Sequence, residues 1–200
     1  TSQIVVYKNV ELVGLGMVSY DNNTGLIGGT ILAINWGGGT GHSGNPTYAA
    51  IILKNSSGVR NIGFTYPLTG VTPNQDPSNS SPTEWGSTIQ VNDNPCYNQY
   101  VTDCYFQRSY IAIDFRGTLA SPPSGIGGCV IARNSGCPIY YGIALDYLVD
   151  WANIENNHFN SGEIQFSNLI APLTTWVYSN GSAMYLGGND WVNVVGMQAW

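Results

Sequence analysis

Charged side chains are scarce in this chain of 200 residues, and basic ones are the scarcest. Asp, Glu, Lys and Arg together make up 9% of the sequence, and six basic residues against twelve acidic ones give a net charge of −6. A nucleic-acid binder normally carries a basic patch that neutralises phosphates, so this composition argues against a nucleic-acid partner. The same shortage of cations argues against binding to an anionic membrane surface.

Long apolar runs and good helix formers are also lacking. No apolar run approaches the roughly 20 residues that a membrane-spanning helix requires, and windows rich in Lys, Glu and Ala, which favour long helices, are missing. Abundant Gly (25) and Tyr (13), together with many β-branched residues, distinguish the chain from a disordered one. The composition therefore predicts one folded domain that is nearly all β.

Cysteine occurs four times, as two pairs with the same separation: Cys96 with Cys104, and Cys129 with Cys137. Neither pair has the spacing of zinc ligands and the two histidines are far apart in the chain, so we predict no metal and no other cofactor. One interpretation is two disulfides in an oxidising compartment. The other takes the cysteines as small core residues, since Cys104 falls in a predicted apolar column with Ile62, Ile154 and Val194.

What the sequence does contain is a short phrase that recurs four times: Val or Trp, any residue, Asn or Asp, then a small apolar residue. The copies are Val59–Ile62, Val101–Cys104, Trp151–Ile154 and Trp191–Val194. Each copy follows a short alternating apolar segment: Ile51–Leu53, Ile89–Val91, Ile143–Leu145 and Met184–Leu186. Short strands repeated between polar corners predict a stack of coils rather than a wrapped globule.

Long intervals rich in Pro, Gly, Ser and Asn separate the predicted strands. We expect four of them to be loops on the surface of the stack: residues 36–47, 66–86, 117–128 and 168–181. Between two of these loops, Cys129–Ala132 predicts a partial coil of its own. Long loops on a regular scaffold commonly carry binding sites.

Three segments carry a resemblance to a known family: Lys8–Gly16, a strand followed by Gly-x-Gly, and the later phrases Gly58–Phe64 and Ile154–Phe159. Together they resemble the pectate-lyase-like superfamily, which includes phage tailspikes and several families of polysaccharide lyases and hydrolases. The resemblance covers residues 1–200 and implies an all-β fold, a right-handed parallel β-helix or solenoid in a single stack. The N-terminal capping helix usual in that superfamily is missing, so we expect a partial domain with further coils upstream and downstream.

The resemblance also implies a ladder of stacked Asn side chains at one corner. Asn61, Asp103, Asn153 and Asn193 occupy the matching place in the four repeated phrases. Asn suits such a corner because it tolerates a left-handed backbone and its amide can bond to the coils above and below. The third coil also fits a second alignment, in which Asn156 takes the corner position.

Alternation along each predicted strand sends every second residue outward, which brings a few acids to the outer surface. Asp114, Asp146 and Glu163 are the predicted catalytic acids, because the resembled superfamily generally cleaves polysaccharides with outward-facing carboxylates. Hydrolysis needs two carboxylates about 5–5.5 Å or about 6.5–9.5 Å apart, and acids on neighbouring coils ~4.8 Å apart can supply either separation. Asp150 and Glu155 are further candidates, and the alternative for every one of these acids is an ordinary solvated surface residue. Four acids are set aside as residues of loops or early coils, namely Glu11, Asp21, Asp76 and Glu84, and Asp103 is set aside as part of the ladder.

Five further residues are predicted to bind substrate: Arg116, Lys54, Tyr147, Tyr185 and Trp176. In a lyase, the two cations would neutralise the carboxylate of an acidic sugar. The three aromatic rings offer flat apolar faces on which sugar rings stack. Their alternative role is to pack beneath the loops as small satellite cores.

These features predict an extracellular β-helix that binds polysaccharide and also degrades it, as a tailspike-type depolymerase or as a secreted lyase or glycoside hydrolase. Four Asn-x-Ser/Thr sequons agree with an exterior location: Asn22, Asn55, Asn79 and Asn180. The alternative is a non-enzymatic adhesin, fibre shaft or carbohydrate-binding β-helix, because acids are few and no tight catalytic phrase is present. A homotrimer is the assembly expected of a tailspike, since a uniform outer face can bury itself against copies of the chain.

Overall fold

The chain winds into six successive coils, and each coil contributes one strand to each of three parallel six-stranded sheets. The structure, a computed structural model, describes residues 3–21, 25–67, 75–76, 78–92, 96–116, 126–160 and 172–199. Stacked parallel strands of this kind confirm the predicted parallel β-helix, or solenoid.

The first three coils run from Ile4 to Gln107. Coil 1 holds β1 (Ile4–Val6), β2 (Glu11–Val13), an antiparallel hairpin of β3 (Ser19–Asp21) and β4 (Gly25–Ile27), and β5 (Thr30–Ala33). Coil 2 holds β6 (Ile51–Leu53), β7 (Gly58–Arg60) and β8 (Ile62–Thr65). Coil 3 holds β9 (Ile89–Val91), β10 (Cys96–Thr102) and β11 (Tyr105–Gln107). A single 3₁₀ turn, Pro46–Tyr48, precedes coil 2.

The last three coils run from Ile111 to Ala199. Coil 4 holds β12 (Ile111–Arg116), β13 (Ile126–Ala132) and β14 (Ser135–Cys137). Coil 5 holds β15 (Tyr141–Asp146), β16 (Trp151–Glu155) and β17 (His158–Phe159). A helix, α1 (Pro172–Asn180), leads into coil 6, which holds β18 (Ser182–Leu186), β19 (Trp191–Val195) and β20 (Gln198–Ala199).

The three sheets follow directly from this winding. The first sheet has the order β1-β6-β9-β12-β15-β18, the second β2-β7-β10-β13-β16-β19, and the third β5-β8-β11-β14-β17-β20. One column of the second sheet shows how the core is built, because Val59, Val101, Ile131 and Ile154 pair in register and are all fully buried. The segment predicted as a partial coil at Cys129–Ala132 is therefore part of a complete coil.

The corner between the second and third sheets requires a left-handed backbone at one residue in nearly every coil. Positive φ values of 52–65° occur there at Asn61, Asp103, Arg133, Asn156 and Gly196. The alignment that places Asn156 at the corner is therefore correct, and the placement of Asn153 and Asn193 there is wrong. Asn153 pairs with Val130 inside the second sheet, three residues before the corner. The prediction was wrong because coil 4 lacks the repeated phrase, so the sequence does not show how the coils on either side of it align.

A buried Asn ladder does exist, one residue after this corner. Asn134 Oδ1 accepts a hydrogen bond from the Cys104 backbone N–H at 3.0 Å, and its Nδ2 donates to Asn157 Oδ1 at 3.0 Å. Asn157 Oδ1 also accepts from the Asn134 backbone N–H at 3.0 Å, and its Nδ2 donates to the Ile131 carbonyl at 2.9 Å. Both side chains are buried, so these bonds satisfy polar groups that water cannot reach.

All four cysteines are free thiols and all are buried. Burial raises the pKa of Cys104 and of Cys129 to about 12, so both thiols are protonated at neutral pH. Cys104 follows the corner residue as Ile62 does, which agrees with the predicted column. That column continues into Asn134 and Asn157 rather than into Ile154 and Val194. The core interpretation of the cysteines therefore holds, and the disulfide interpretation does not.

The four predicted loops agree with the structure to different degrees. Residues 36–47 carry little regular structure and end in the 3₁₀ turn. Of the other predicted loops, residues 68–74, 77, 117–125 and 168–171 lie outside the described residues. Strand β13 begins at Ile126, inside the loop predicted at 117–128. The prediction of a loop over residues 168–181 is wrong for Pro172–Asn180, which is helical. This helix begins with Pro and buries Leu173 and Val177, spaced four apart, against the stack.

Candidate functional site

The outer face of the first sheet carries several of the residues that sequence analysis favoured for catalysis and binding. Ile113 and Phe115 point into the core, so alternation turns Asp114 and Arg116 outward on the same strand. Asp114 pairs with Gln90 in coil 3 and with Ala144 in coil 5, while Arg116 pairs with Asp146. The strands thus line up polar and charged groups from neighbouring coils on one face.

Asp114 is outward-facing as predicted, but it is fully buried. Its two carboxylate oxygens accept hydrogen bonds from Nε and Nη2 of Arg116, both at 2.7 Å, and Oδ2 also accepts from the Ser87 hydroxyl at 2.7 Å. The hydrogen bond to Asp114 raises the pKa of Arg116, as a charge-assisted bidentate pair should. Asp114 is therefore engaged with its neighbours, and its predicted catalytic role stays a prediction.

The loop of residues 36–48 covers this ion pair. The Gly44 carbonyl accepts a hydrogen bond from Gln90 Nε2 at 2.9 Å. A Cβ atom on Gly44 would lie 2.8 Å from Arg116 Nη2, so the backbone approaches the guanidinium as closely as only glycine permits. Gly44 also has a φ of +71°. Within the loop, the ring of His42 stacks on the ring of Tyr48, with 3.6 Å between the two centroids.

A cavity of about 490 Å³ lies beside this loop, between it and the segment that leads to Trp85. The lining residues come from the loop, from residues 81–84, from the start of coil 4 and from α1: Gly39, Thr40, Ser81, Pro82, Thr83, Glu84, Tyr110 and Trp176. Glu84 is fixed by a hydrogen bond of 2.7 Å from the Gly41 backbone N–H to its Oε2 atom. The volume falls in the range of small-molecule binding sites, about 300–1,000 Å³.

Five aromatic rings extend from this cavity across the outer face of the first sheet. We call them the aromatic cluster: Tyr110, Tyr140, Tyr141, Trp176 and Tyr185. Ring centroids lie 5.2 Å apart for Tyr110 and Tyr140, 6.0 Å for Tyr140 and Trp176, and 5.4 Å for Tyr141 and Tyr185. Tyr110 is buried, Tyr140, Tyr141 and Trp176 are half-buried, and Tyr185 is exposed. The cluster spans three successive coils, and its partly exposed rings are of the kind on which sugar rings stack.

Two phenol groups of the cluster, those of Tyr110 and Tyr141, stay protonated at neutral pH. Burial raises the pKa of Tyr141 to about 12, and its hydroxyl donates to that of Tyr140 at 3.0 Å. Burial, followed by the charge of Glu84, likewise raises the pKa of Tyr110 to about 12. At neutral pH these groups are therefore hydrogen-bond donors and not phenolates.

Asp146 lies on the coil next to Arg116, at the end of β15. Its Oδ1 atom accepts hydrogen bonds from the backbone N–H groups of Tyr147 at 2.9 Å and Gly188 at 2.6 Å. These bonds hold the carboxylate at a turn, and only one of its two oxygens is used in them. Asp146 is half-buried, so it can still present an acceptor at the edge of the first sheet. Its catalytic role also stays a prediction.

The structure unites some of the predicted substrate-binding residues and separates others. Trp176 and Tyr185 belong to the aromatic cluster, and the Arg116 charge is close enough to interact with the hydroxyls of Tyr141 and Tyr185. Lys54 instead donates from Nζ to the Asn92 carbonyl at 3.2 Å, on the coils nearer the start of the chain. Tyr147 adopts a positive φ of 57° at the turn after β15 and makes no ring contact with the cluster.

Of the remaining predicted acids, Glu155 and Asp150 lie away from this site. Glu163 lies outside the described residues. Glu155 is on the second sheet, where it pairs with Ala132 and Val195, and Asp150 is exposed just before that sheet. Trp85, which precedes coil 3, is buried and packs edge-on against Tyr66.

Two residues of the site were missed by sequence analysis. Glu84 was assigned to a loop and set aside, and Tyr110 was not singled out. The sequence did contain one signal for the cluster, because Tyr110 and Tyr140 each stand directly before a first-sheet strand and Tyr141 is the first residue of β15. Glu84 gave no signal, since its place in the cavity depends on how two irregular segments fold together.

Comparison of the chain with protein-family models, with curated proteins and with solved structures gives no match. The resemblance to the pectate-lyase-like superfamily therefore stays a sequence-based prediction, and the function must be argued from the site itself. Within the part of the chain that the structure describes, no helix is long and apolar enough to cross a membrane.

Proposed function

We propose that this protein binds an extended polysaccharide along the outer face of the first sheet. The observation that carries the proposal is the aromatic cluster, which leads from the cavity beside Trp176 to the exposed ring of Tyr185. Neighbouring coils stack ~4.8 Å apart, so rings on successive coils meet a long, thin ligand that runs along the stack. The hydroxyls of Thr40, Ser81 and Thr83 and the carboxylate of Glu84 supply polar groups in the cavity wall.

The proposal is tested by affinity electrophoresis and calorimetry with a panel of neutral and acidic polysaccharides. Trp176→Ala is expected to weaken binding at least fivefold, since stacking on an aromatic face contributes about 1–3 kcal/mol. Tyr178→Ala is the matched control, because Tyr178 lies on the same helix, is 57% exposed and belongs to neither the cavity nor the cluster. Retention of full affinity by Trp176→Ala, or absence of binding across the whole panel, would overturn the proposal.

Cleavage of the bound polysaccharide is the second candidate, and the carboxylate of Glu84 in the cavity wall favours it. Hydrolysis also requires a second carboxylate, for which Asp146 and Glu163 are the predicted residues. The same incubations are read for new reducing ends and for absorbance at 235 nm, which together distinguish hydrolysis from elimination. Binding without new ends supports the adhesin, fibre-shaft or carbohydrate-binding alternative.

A polysaccharide ligand and a surface poor in charge suit a protein that acts outside the cell, and we propose that location. We also propose a homotrimer, because that is the assembly expected of a tailspike-type protein. Sedimentation equilibrium of the purified chain measures the assembly directly, and a monomer over the micromolar range would exclude the trimer.

A further inference from the structure

The charges around the proposed binding site are unbalanced. Glu84 is the single charged side chain among the described residues that line the cavity. Its Oε2 atom accepts one hydrogen bond from Gly41, and a carboxylate has about four acceptor positions. Glu84 can therefore accept hydrogen bonds from the hydroxyls of a ligand, and it repels a second carboxylate.

The nearest cation of the aromatic cluster does not offset this negative charge. Arg116 is bound to Asp114 through two hydrogen bonds of 2.7 Å, so the pair is neutral as a whole. Asp114 is fully buried and the Arg116 side chain is 29% exposed, so they form one fixed unit beneath the loop of residues 36–48. Asp146, in register with Arg116 on the next coil, adds a further negative charge at the edge of the sheet.

From this balance we infer that the site selects neutral polysaccharides over polyuronates, with Glu84 as a specificity-determining residue. The inference rests on the proposed function and names its class of ligand. A polyuronate brings one carboxylate with every sugar, and those carboxylates would meet Glu84 and Asp146 without an unpaired guanidinium to bind them. A neutral sugar instead donates its hydroxyls to the same acceptors and stacks on the same rings.

This selectivity also bears on the route of cleavage. Elimination removes the proton at C5 of a uronate, and that proton is acidic because the C6 carboxyl group is next to it. A neutral hexose lacks this group, so hydrolysis is the route left for any cleavage of a neutral ligand. Lys54 and Arg116, predicted to neutralise an acidic sugar in a lyase, are instead bound to Asn92 and Asp114.

The test uses several polyuronates, each paired with the same polymer after reduction of its carboxyl groups to primary alcohols. Each pair is titrated into the wild-type chain at 20 and 300 mM NaCl. We expect the reduced polymer of at least one pair to bind at least tenfold more tightly than its parent at low salt. The difference in affinity between the reduced polymer and its parent should decrease at high salt, because salt screens repulsion between exposed charges.

Two Glu→Gln variants locate the source of the selectivity. Glu84→Gln should strengthen binding of the polyuronate and reduce the ratio between the two affinities at least threefold. Glu155→Gln, on the second sheet, should leave that ratio as it is in the wild type. Equal or tighter binding of the polyuronates, or the same ratio in both variants, would overturn the inference while the proposed function stands. Absence of binding to every polymer would overturn both.

Discussion

Arg116 and Asp114, two residues apart on β12, form a bidentate ion pair in which both hydrogen bonds measure 2.7 Å and the carboxylate is fully buried. The pair lies on the outer side of the sheet, which in a bare solenoid would face water. It is buried because the loop of residues 36–48 folds over it, with Gly44 against the guanidinium. The loop thus turns an outward-facing acid into part of the support beneath the proposed binding site.

Removal of Arg116 should be costlier than removal of the whole pair. Arg116→Met leaves the Asp114 carboxylate buried without its cation and is expected to lower the free energy of unfolding by about 3 kcal/mol. The double variant Asp114→Asn/Arg116→Met removes both charges and keeps an acceptor for Ser87, so it should recover more than half of that loss. Urea unfolding of the two variants measures the difference. A double variant less stable than Arg116→Met would show that the unpaired charge is not the cause.

Gly44 should tolerate alanine less well than Gly41 does. The two residues share a left-handed backbone, with φ of +71° and +75°, so both substitutions carry the same strain of about 1 kcal/mol. Only at Gly44 would the new Cβ atom press on Arg116, at 2.8 Å, whereas at Gly41 it meets nothing within 4 Å. We expect Gly44→Ala to lower stability by about 1 kcal/mol more than Gly41→Ala, as read by thermal unfolding. Equal losses would mean that the loop does not rest on the ion pair.

The Asn ladder provides a comparison within one coil. Asn157→Ala leaves the Asn134 backbone N–H and the Ile131 carbonyl without their partner in a buried site, so we expect a loss of about 2–3 kcal/mol. Asn153→Ala, four residues earlier, removes only a contact of 3.4 Å with Asn193 near the surface and should change stability by less than about 0.5 kcal/mol. Chemical unfolding of both variants measures this contrast. Similar losses of stability in the two variants would contradict the ladder at Asn134 and Asn157 and favour the predicted ladder at Asn153 and Asn193.

Asp103 should make a pH-dependent contribution to stability. Hydrogen bonds of 2.7 Å from Nε and Nη2 of Arg133 lower the pKa of this carboxyl group, so the folded state binds its proton less readily than the unfolded state does. The contribution is therefore complete above the unfolded pKa and is lost as the pH falls through the folded value. Arg133 is exposed and Asp103 is half-buried, so solvent screens the pair. Asp103→Asn should therefore lower stability by only about 0.5 kcal/mol at pH 7. The difference from wild type should decrease as the pH falls below the pKa of the unfolded state, about 3.9 for Asp.

Urea titrations of wild type and Asp103→Asn at pH 7 and pH 2.5 test this expectation. Asn is the suitable replacement because it tolerates the φ of 57° at this corner. Asp190→Asn, which changes an exposed acid elsewhere, is the control for the loss of one negative charge. A difference that persists unchanged at pH 2.5 would show that the ion pair is not its source.

The sequence alone determined the architecture of this protein. Short alternating segments separated by polar corners specify strands and turns through local preferences, and Asn61 and Asp103 are two of the few residue types that accept a left-handed corner. These signals depend only on residues that are close together in the chain, so they can be recognised without the tertiary structure. The helix at Pro172–Asn180 escaped notice because a helix of nine residues needs the stack for its stability.

Only the tertiary structure decided the register between coils and the composition of the site. Asn153 and Asn157 are alike in sequence, yet one lies on an outer face and the other in the buried ladder, because coil 4 sets the offset between the coils on either side. Asp114 is buried by a loop that begins 78 residues earlier in the chain, and Glu84 reaches the cavity through the same loop. Contacts of this kind join segments that are distant in sequence, and no local pattern encodes which of them will meet.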